Sequence, residues 1–147
     1  MTMETSDKSF ADVLHEAHAD LFRDLLQLEE FVRLGSGEGP PLDLSTRLQK
    51  VRRHLTDHFR FEEQDGYMAP LLKEDPRIGH VVQELLDEHR QLAQALDVLL
   101  QEVSAAQTLR EGFPERVRAW VKHVRQHESR ENSLVQEVYY SEGATGD

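Results

Sequence analysis

Two stretches of this chain carry the same polar pattern. Arg53-His54-Leu55-Thr56-Asp57-His58-Phe59-Arg60-Phe61-Glu62-Glu63 and Lys122-His123-Val124-Arg125-Gln126-His127-Glu128-Ser129-Arg130-Glu131-Asn132 both contain His-x-x-x-His-x-x-x-Glu. On a helix, residues four apart stand one above the other, so His58 with Glu62, and His127 with Glu131, project from one face. Two such ladders facing each other would gather imidazoles and carboxylates in one space, a donor mixture that iron, manganese and zinc accept.

The elements that must position these ladders are readable from apolar periodicity. A first helix, capped at Asp7 or Ser9 and running to about Leu34, carries a seam of Leu14, Leu21, Leu25, Leu28 and Val32. His18 takes the seam position between Leu14 and Leu21, and His15 sits beside it. Gly35 to Pro41 breaks the helix. A second helix, with Asp43 as its expected N-cap, carries Leu44, Leu48, Val51, Leu55, His58 and Glu62, and Asp65-Gly66 disrupts it. Tyr67 to Leu72 could form a short extra turn. The third, from Pro76 to about Thr108, carries Val82, Leu85, His89, Leu92, Leu96, Leu99 and Val103. After Gly112 the fourth carries Phe113, Val117, Trp120, Val124, His127, Glu131, Leu134 and Val138. Short connections between four helices predict an all-α fold, an antiparallel up-down-up-down four-helix bundle.

The halves of the chain also match each other. Subtracting 71 places His89 on His18 and Leu92, Leu96 and Leu99 on Leu21, Leu25 and Leu28; subtracting 69 places His127 on His58 and Glu131 on Glu62. A duplicated helical hairpin predicts an internal two-fold pseudo-symmetry about the polar residues.

Composition narrows the function classes. A chain of 147 residues with 38% hydrophobic content suits a single domain over 1–147, with its core at about 8–140 and polar termini. A formal charge of −11 without a Lys/Arg cluster argues against nucleic acid and anionic lipid as partners. No apolar run has membrane-spanning length and the polar start lacks a signal-peptide core, so the expected location is cytoplasmic. With no Cys, any metal must be held by His and carboxylate.

Six polar residues, His18, His58, Glu62, His89, His127 and Glu131, thus fall where a bundle core expects aliphatic side chains. A buried carboxylate without a partner costs several kcal/mol, on the order given by desolvation, and a metal removes that cost. The competing explanation is a buried polar layer bonded to itself. Counting donors suggests two ions, each with two His and a share of two bridging Glu, joined by an oxo or hydroxo bridge and each keeping one open position. Iron suits that arrangement better than zinc, which closes at four ligands, or manganese. O2, peroxide or nitric oxide would fit the open positions. No Glu-x-x-His occurs, which sets the chain apart from ferritin-like di-iron bundles.

One His on helix one, His-x-x-x-Glu on helix two, one His on helix three and His-x-x-x-Glu on helix four resembles the hemerythrin-like, or HHE cation-binding, domains. His58-Phe59-Arg60-Phe61-Glu62-Glu63 is similar to that family's second-helix signature, and the likeness spans essentially the whole chain. It implies a non-haem di-iron centre in a four-helix bundle. Oxygen-carrying members have a second His on helix three, four residues from the first, and a five-residue step to Asp on helix four. Here those places are Leu85 or Ala93, and Glu131 stands four from His127. A fifth histidine would have to be His15, His54 or His123. The set looks more like bacterial members that handle peroxide, nitric oxide or iron supply, including proteins that repair damaged iron centres.

His15, His54, His123, Glu63 and Tyr67 are candidates for contact with the ligands, orienting them or lining a route to them. His54 and His123, equivalent in the duplication, would equally suit the role of boundary residues. Two functional classes stay open: a peroxide- or nitric-oxide-consuming oxidoreductase, and an iron-binding, sensing or repair module without turnover of its own. The sequence does not identify a protein partner.

Overall fold

Steps of four and three between apolar residues define four helices, and the computed structural model places them in a four-helix bundle. It describes residues 10–35, 41–65, 76–105 and 111–137. Helix α1 spans Phe10–Gly35 and α2 Pro41–Arg60; a π-helical turn, Phe61–Asp65, extends α2; α3 spans Pro76–Ala105 and α4 Phe113–Gln136. No strand occurs among the described residues. Each of α1 and α3 packs on both α2 and α4. His18 meets Glu62, Asp24 meets His54 and Phe31 meets Arg47, so residue numbers fall along α2 as they rise along α1. The contacts between these two helices therefore run in opposite chain directions.

Helix ends differ from expectation in two places. Pro41 opens α2 two residues before Asp43, which therefore lies inside the first turn and is not the N-cap. Proline's fixed φ is already helical and its missing N–H has no partner at that position anyway, so it is a favoured first residue. At the other end the α-helix does not continue to Asp65 but gives way at Phe61 to the wider π turn, with Glu62 inside it. Gly112, at φ 83, makes the left-handed step that starts α4. The expected caps Asp7 and Ser9, the stretch Tyr67 to Leu72, Thr108 and Val138 lie outside the described residues.

From His18 to Leu134, every seam position is buried. The polar residues divide the apolar interior into two clusters. The larger runs along all four helices, from Leu21, Leu25 and Leu28 through Leu48, Leu55 and Leu96 to Phe113 and Trp120, whose indole N–H donates to the Leu92 carbonyl at 2.9 Å. The smaller, Val82, Leu85, Leu134 and Val135, closes the opposite side. Leu96 is fully buried in the larger cluster. Leu96→Ala should therefore destabilise the protein by about 2–5 kcal/mol, read as a lower midpoint in urea with unchanged slope. Among surface charges, Arg52 is more than a solubilising group: its guanidinium forks onto Asp97 of α3 at 2.8 and 3.2 Å, tying α2 to α3. No helix among the described residues is long and apolar enough to cross a membrane.

Candidate metal centre

All six seam residues converge on the layer between the two apolar clusters. His18 is 1% exposed, His58 8%, His89 2% and His127 2%, while Glu62 and Glu131 are fully buried. The ring centroids of His18 and His58 lie 5.0 Å apart, and those of His89 and His127 4.8 Å apart, so the imidazoles form two pairs, one from α1 and α2 and one from α3 and α4. Within each ladder the four-residue step does what helical geometry requires: His58 Nε2 is 3.1 Å from Glu62 Oε2, and His127 Nε2 is 3.1 Å from Glu131 Oε1.

Glu62 connects the pairs. Its Oε2 lies 3.1 Å from both His18 Nε2 and His58 Nε2, and its Oε1 lies 3.2 Å from His89 Nε2. One carboxylate therefore presents a different oxygen to each imidazole pair. Donor atoms of Glu62, His89, His127 and Glu131 all lie within 4.8 Å of one another, and the same holds for His18, His58, Glu62, Glu131 and a fifth residue, Glu128.

Glu128 was not among the residues singled out by spacing. It is fully buried, with Oε2 2.7 Å from His18 Nε2 and Oε1 3.0 Å from His58 Nε2. Attention to the repeated four-residue step passes over it, because Glu128 directly follows His127. A signal was present nonetheless. Val121, Glu128 and Val135 recur every seven residues and all three are buried, forming a second row beside the α4 seam.

Three of the imidazoles are held from behind. His18 Nδ1–H donates to Asn132 Oδ1 at 3.0 Å, His89 Nδ1–H to Glu63 Oε2 at 2.6 Å, and His127 Nδ1–H to Glu88 Oε1 at 2.7 Å; Arg130 in turn grips Glu88. With Nδ1 engaged, Nε2 is the nitrogen turned to the centre, the arrangement that fixes ring orientation in metal-binding histidines. Glu63, one of the candidates for contact with the ligands, thus meets His89, whereas Asn132 and Glu88 were not anticipated. Glu63→Ala should weaken metal binding by about 10–100-fold while leaving the saturated stoichiometry unchanged, as measured by competition with a chelator.

His54 and His123 do not join the cluster. Both are exposed, so neither supplies a fifth histidine; the ring of His54 bonds to Asp24. Each lines an open cleft whose floor includes a candidate ligand, His58 in one of about 550 Å³ and His127 in one of about 430 Å³. The first cleft carries Asp20, Asp24 and Asp57 against Arg23, which pairs with Asp20; the second offers Glu88, Gln91, Gln126 and Arg130. The side chain of His15 and all of Tyr67 lie outside what the structure describes.

Burial and the carboxylates pull the imidazole pKa values in opposite directions. Burial lowers the pKa of His18, but the Glu128 and Glu62 carboxylates beside its Nε2 outweigh it and hold the ring up at about 9. Burial is likewise outweighed for His58 by Glu128 and Glu62, at about 10, and for His89 by Glu131 and Glu62, at about 10. His127 is raised against its burial by Glu131 and Glu88. Burial and the charge of Glu131 push Glu62 up, yet His18, His58 and His89 bring it below its usual range. Glu131 falls well below that range, because Glu128, His127 and His89 overcome its burial. Glu128 is the exception, raised by burial and by Glu131. Protons on the imidazoles thus occupy the place of cations.

The donors fit a metal. His58 Nε2, His89 Nε2, His127 Nε2, Glu62 Oε1 and both oxygens of Glu128 are buried without a directed hydrogen bond, although they lie close together. Buried polar atoms in such number are rare without a partner. A cation of the class that imidazole and carboxylate bind would satisfy them together.

A family model, the hemerythrin HHE cation binding domain, matches residues 9–139 of this chain. Searches of the curated proteins and of the solved structures found no match.

Proposed function

Since the chain belongs to the hemerythrin HHE cation-binding domain family, we propose that it holds two iron ions in the buried layer and uses them on O2, peroxide or nitric oxide. The observation that carries this reading is Glu62, whose two oxygens face separate imidazole pairs. His18 and His58 would hold one ion and His89 and His127 the other, with Glu62 and Glu131 shared between them. Bound there, an iron pair supplies redox chemistry toward a small ligand.

The remaining residues prepare the layer for that role. Glu63, Glu88 and Asn132 keep the rings turned inward, and the apolar clusters on both sides exclude bulk water. The two clefts give small molecules a route to His58 and His127. One observation favours a second reading, in which iron itself is the cargo of a sensing or repair module. Asp20, Asp24 and Asp57 outnumber Arg23 in the cleft beside His58 and leave it with a net negative charge that draws cations.

Titration of the iron-loaded protein with peroxide, nitric oxide and O2, followed optically, separates these readings. Steady consumption that is lost in His58→Ala supports an oxidoreductase, and one equivalent bound without turnover supports a binding or sensing module. Transfer of iron to a chelator without response to any of the three ligands overturns the small-molecule reading and leaves the cargo one.

A further inference from the structure

We propose that Glu128 is a further protein ligand, a third carboxylate that binds only the ion held by His18 and His58, so that the two ions sit in unlike environments. The inference rests on the metal-pair reading above and extends it to a residue outside the repeated pattern. The duplicated sequence makes the asymmetry visible. Subtracting 69 from 128 gives 59, so the counterpart of Glu128 on α2 is Phe59.

The two residues occupy matching places. Glu128 meets His18 Nε2 at 2.7 Å and His58 Nε2 at 3.0 Å. Phe59 meets the counterparts of those rings: it stacks on His89 with centroids 3.7 Å apart and planes 8° apart, and stands edge-on to His127 at 5.6 Å. Helix α4 thus puts an anion beside the imidazole pair of α1 and α2, where α2 puts an aromatic ring beside the pair of α3 and α4. Both oxygens of Glu128 are buried and neither makes a well-directed hydrogen bond; each faces the imidazole nitrogen that would turn to a metal.

Unlike surroundings have a chemical consequence. Glu62, Glu128 and Glu131 together carry three negative charges toward two divalent ions, and the third falls on one side only. The ion of His18 and His58 then has five protein residues as ligands, the other four. Higher charge on an ion is stabilised by an additional anionic oxygen ligand, so the side of Glu128 favours the more oxidised ion. The side of Phe59 keeps the less filled coordination sphere, under an apolar cover suited to a small neutral ligand.

Anaerobic titration with ferrous iron labelled for Mössbauer spectroscopy, on the intact chain and on Glu128→Gln, tests the assignment. Glutamine keeps the size and shape of glutamate and removes the charge. The intact chain should bind two ions giving two distinct doublets of equal area. In Glu128→Gln one of the two affinities should fall about tenfold or more, by at least as much as loss of an orienting residue costs, and one doublet should move while the other stays. Unchanged affinities and unchanged doublets in the variant would overturn the role of Glu128 while leaving the metal pair standing. A single doublet from the intact, doubly loaded chain would also overturn it, and that readout needs no variant to fold. Fewer than two ions bound by the intact chain would sink the metal pair, and the role of Glu128 with it.

Discussion

Glu62→Ala should abolish binding of the ion pair and destabilise the metal-free protein as well, the largest effect expected of any single substitution here. In the metal-free chain this carboxylate lies within 3.2 Å of the Nε2 atoms of His18, His58 and His89. Removing one partner of a buried charge cluster typically costs about 3–5 kcal/mol, because the others stay buried and unpaired. Glu62 is also the carboxylate that comes within 3.2 Å of both imidazole pairs, against 3.7 and 3.8 Å from Glu131 to His18 and His89, so its loss would uncouple the two sites. Chemical denaturation should show the first effect and metal analysis the second, with at most one weakly held ion per chain. Wild-type stability together with two retained ions would show that Glu62 joins nothing.

The second large effect is on pH dependence. His18, His58 and His89 have folded-state pKa values raised from 6.5 to about 9, about 10 and about 10. A raised imidazole contributes stability that is fully present below about pH 6.5 and is lost as pH rises through the folded value. The metal-free protein should therefore lose stability between about pH 6.5 and 10. For His18 alone the raised value corresponds to about 3 kcal/mol, and the three rings together contribute less than three times that, since they share the same carboxylates. Glu62 and Glu131 are lowered, so their contribution is present above about pH 4.5 and is lost as pH falls further. Iron should change the alkaline limb: ions in place of protons leave nothing to titrate there. Melting temperature followed from pH 6 to 10 should fall in the presence of a chelator and stay nearly level in the loaded protein. Parallel profiles would mean that protons and metal do not compete for these nitrogens.

Much of this was legible in the sequence because the bundle's interior tolerates so few polar residues. His18 between Leu14 and Leu21, and His89 between Leu85 and Leu92, interrupt rows that are otherwise aliphatic, and burial confirms both as interior. Glu62 and Glu131 were found by the four-residue step from a histidine. Glu128 escaped because it belongs to the second row on α4, where its neighbours Val121 and Val135 lie a full seven residues away. The π turn that carries Glu62 was not legible either. It is a shift in backbone hydrogen bonding that no single residue type demands. Nor could the partners behind the rings be read in advance. Asn132 reaches His18 from α4 and Glu63 reaches His89 from the π turn, pairings that exist only once the helices are packed.

Burial of four imidazoles and three carboxylates in one layer makes sense if two cations belong among them. The most direct measurement is an anaerobic titration of the metal-free protein with ferrous iron, counting ions and released protons together. Two ions bound per chain with protons released, and neither in His58→Ala combined with His127→Ala, is the expected result. Binding that is substoichiometric, or that survives loss of both histidines, would contradict the account.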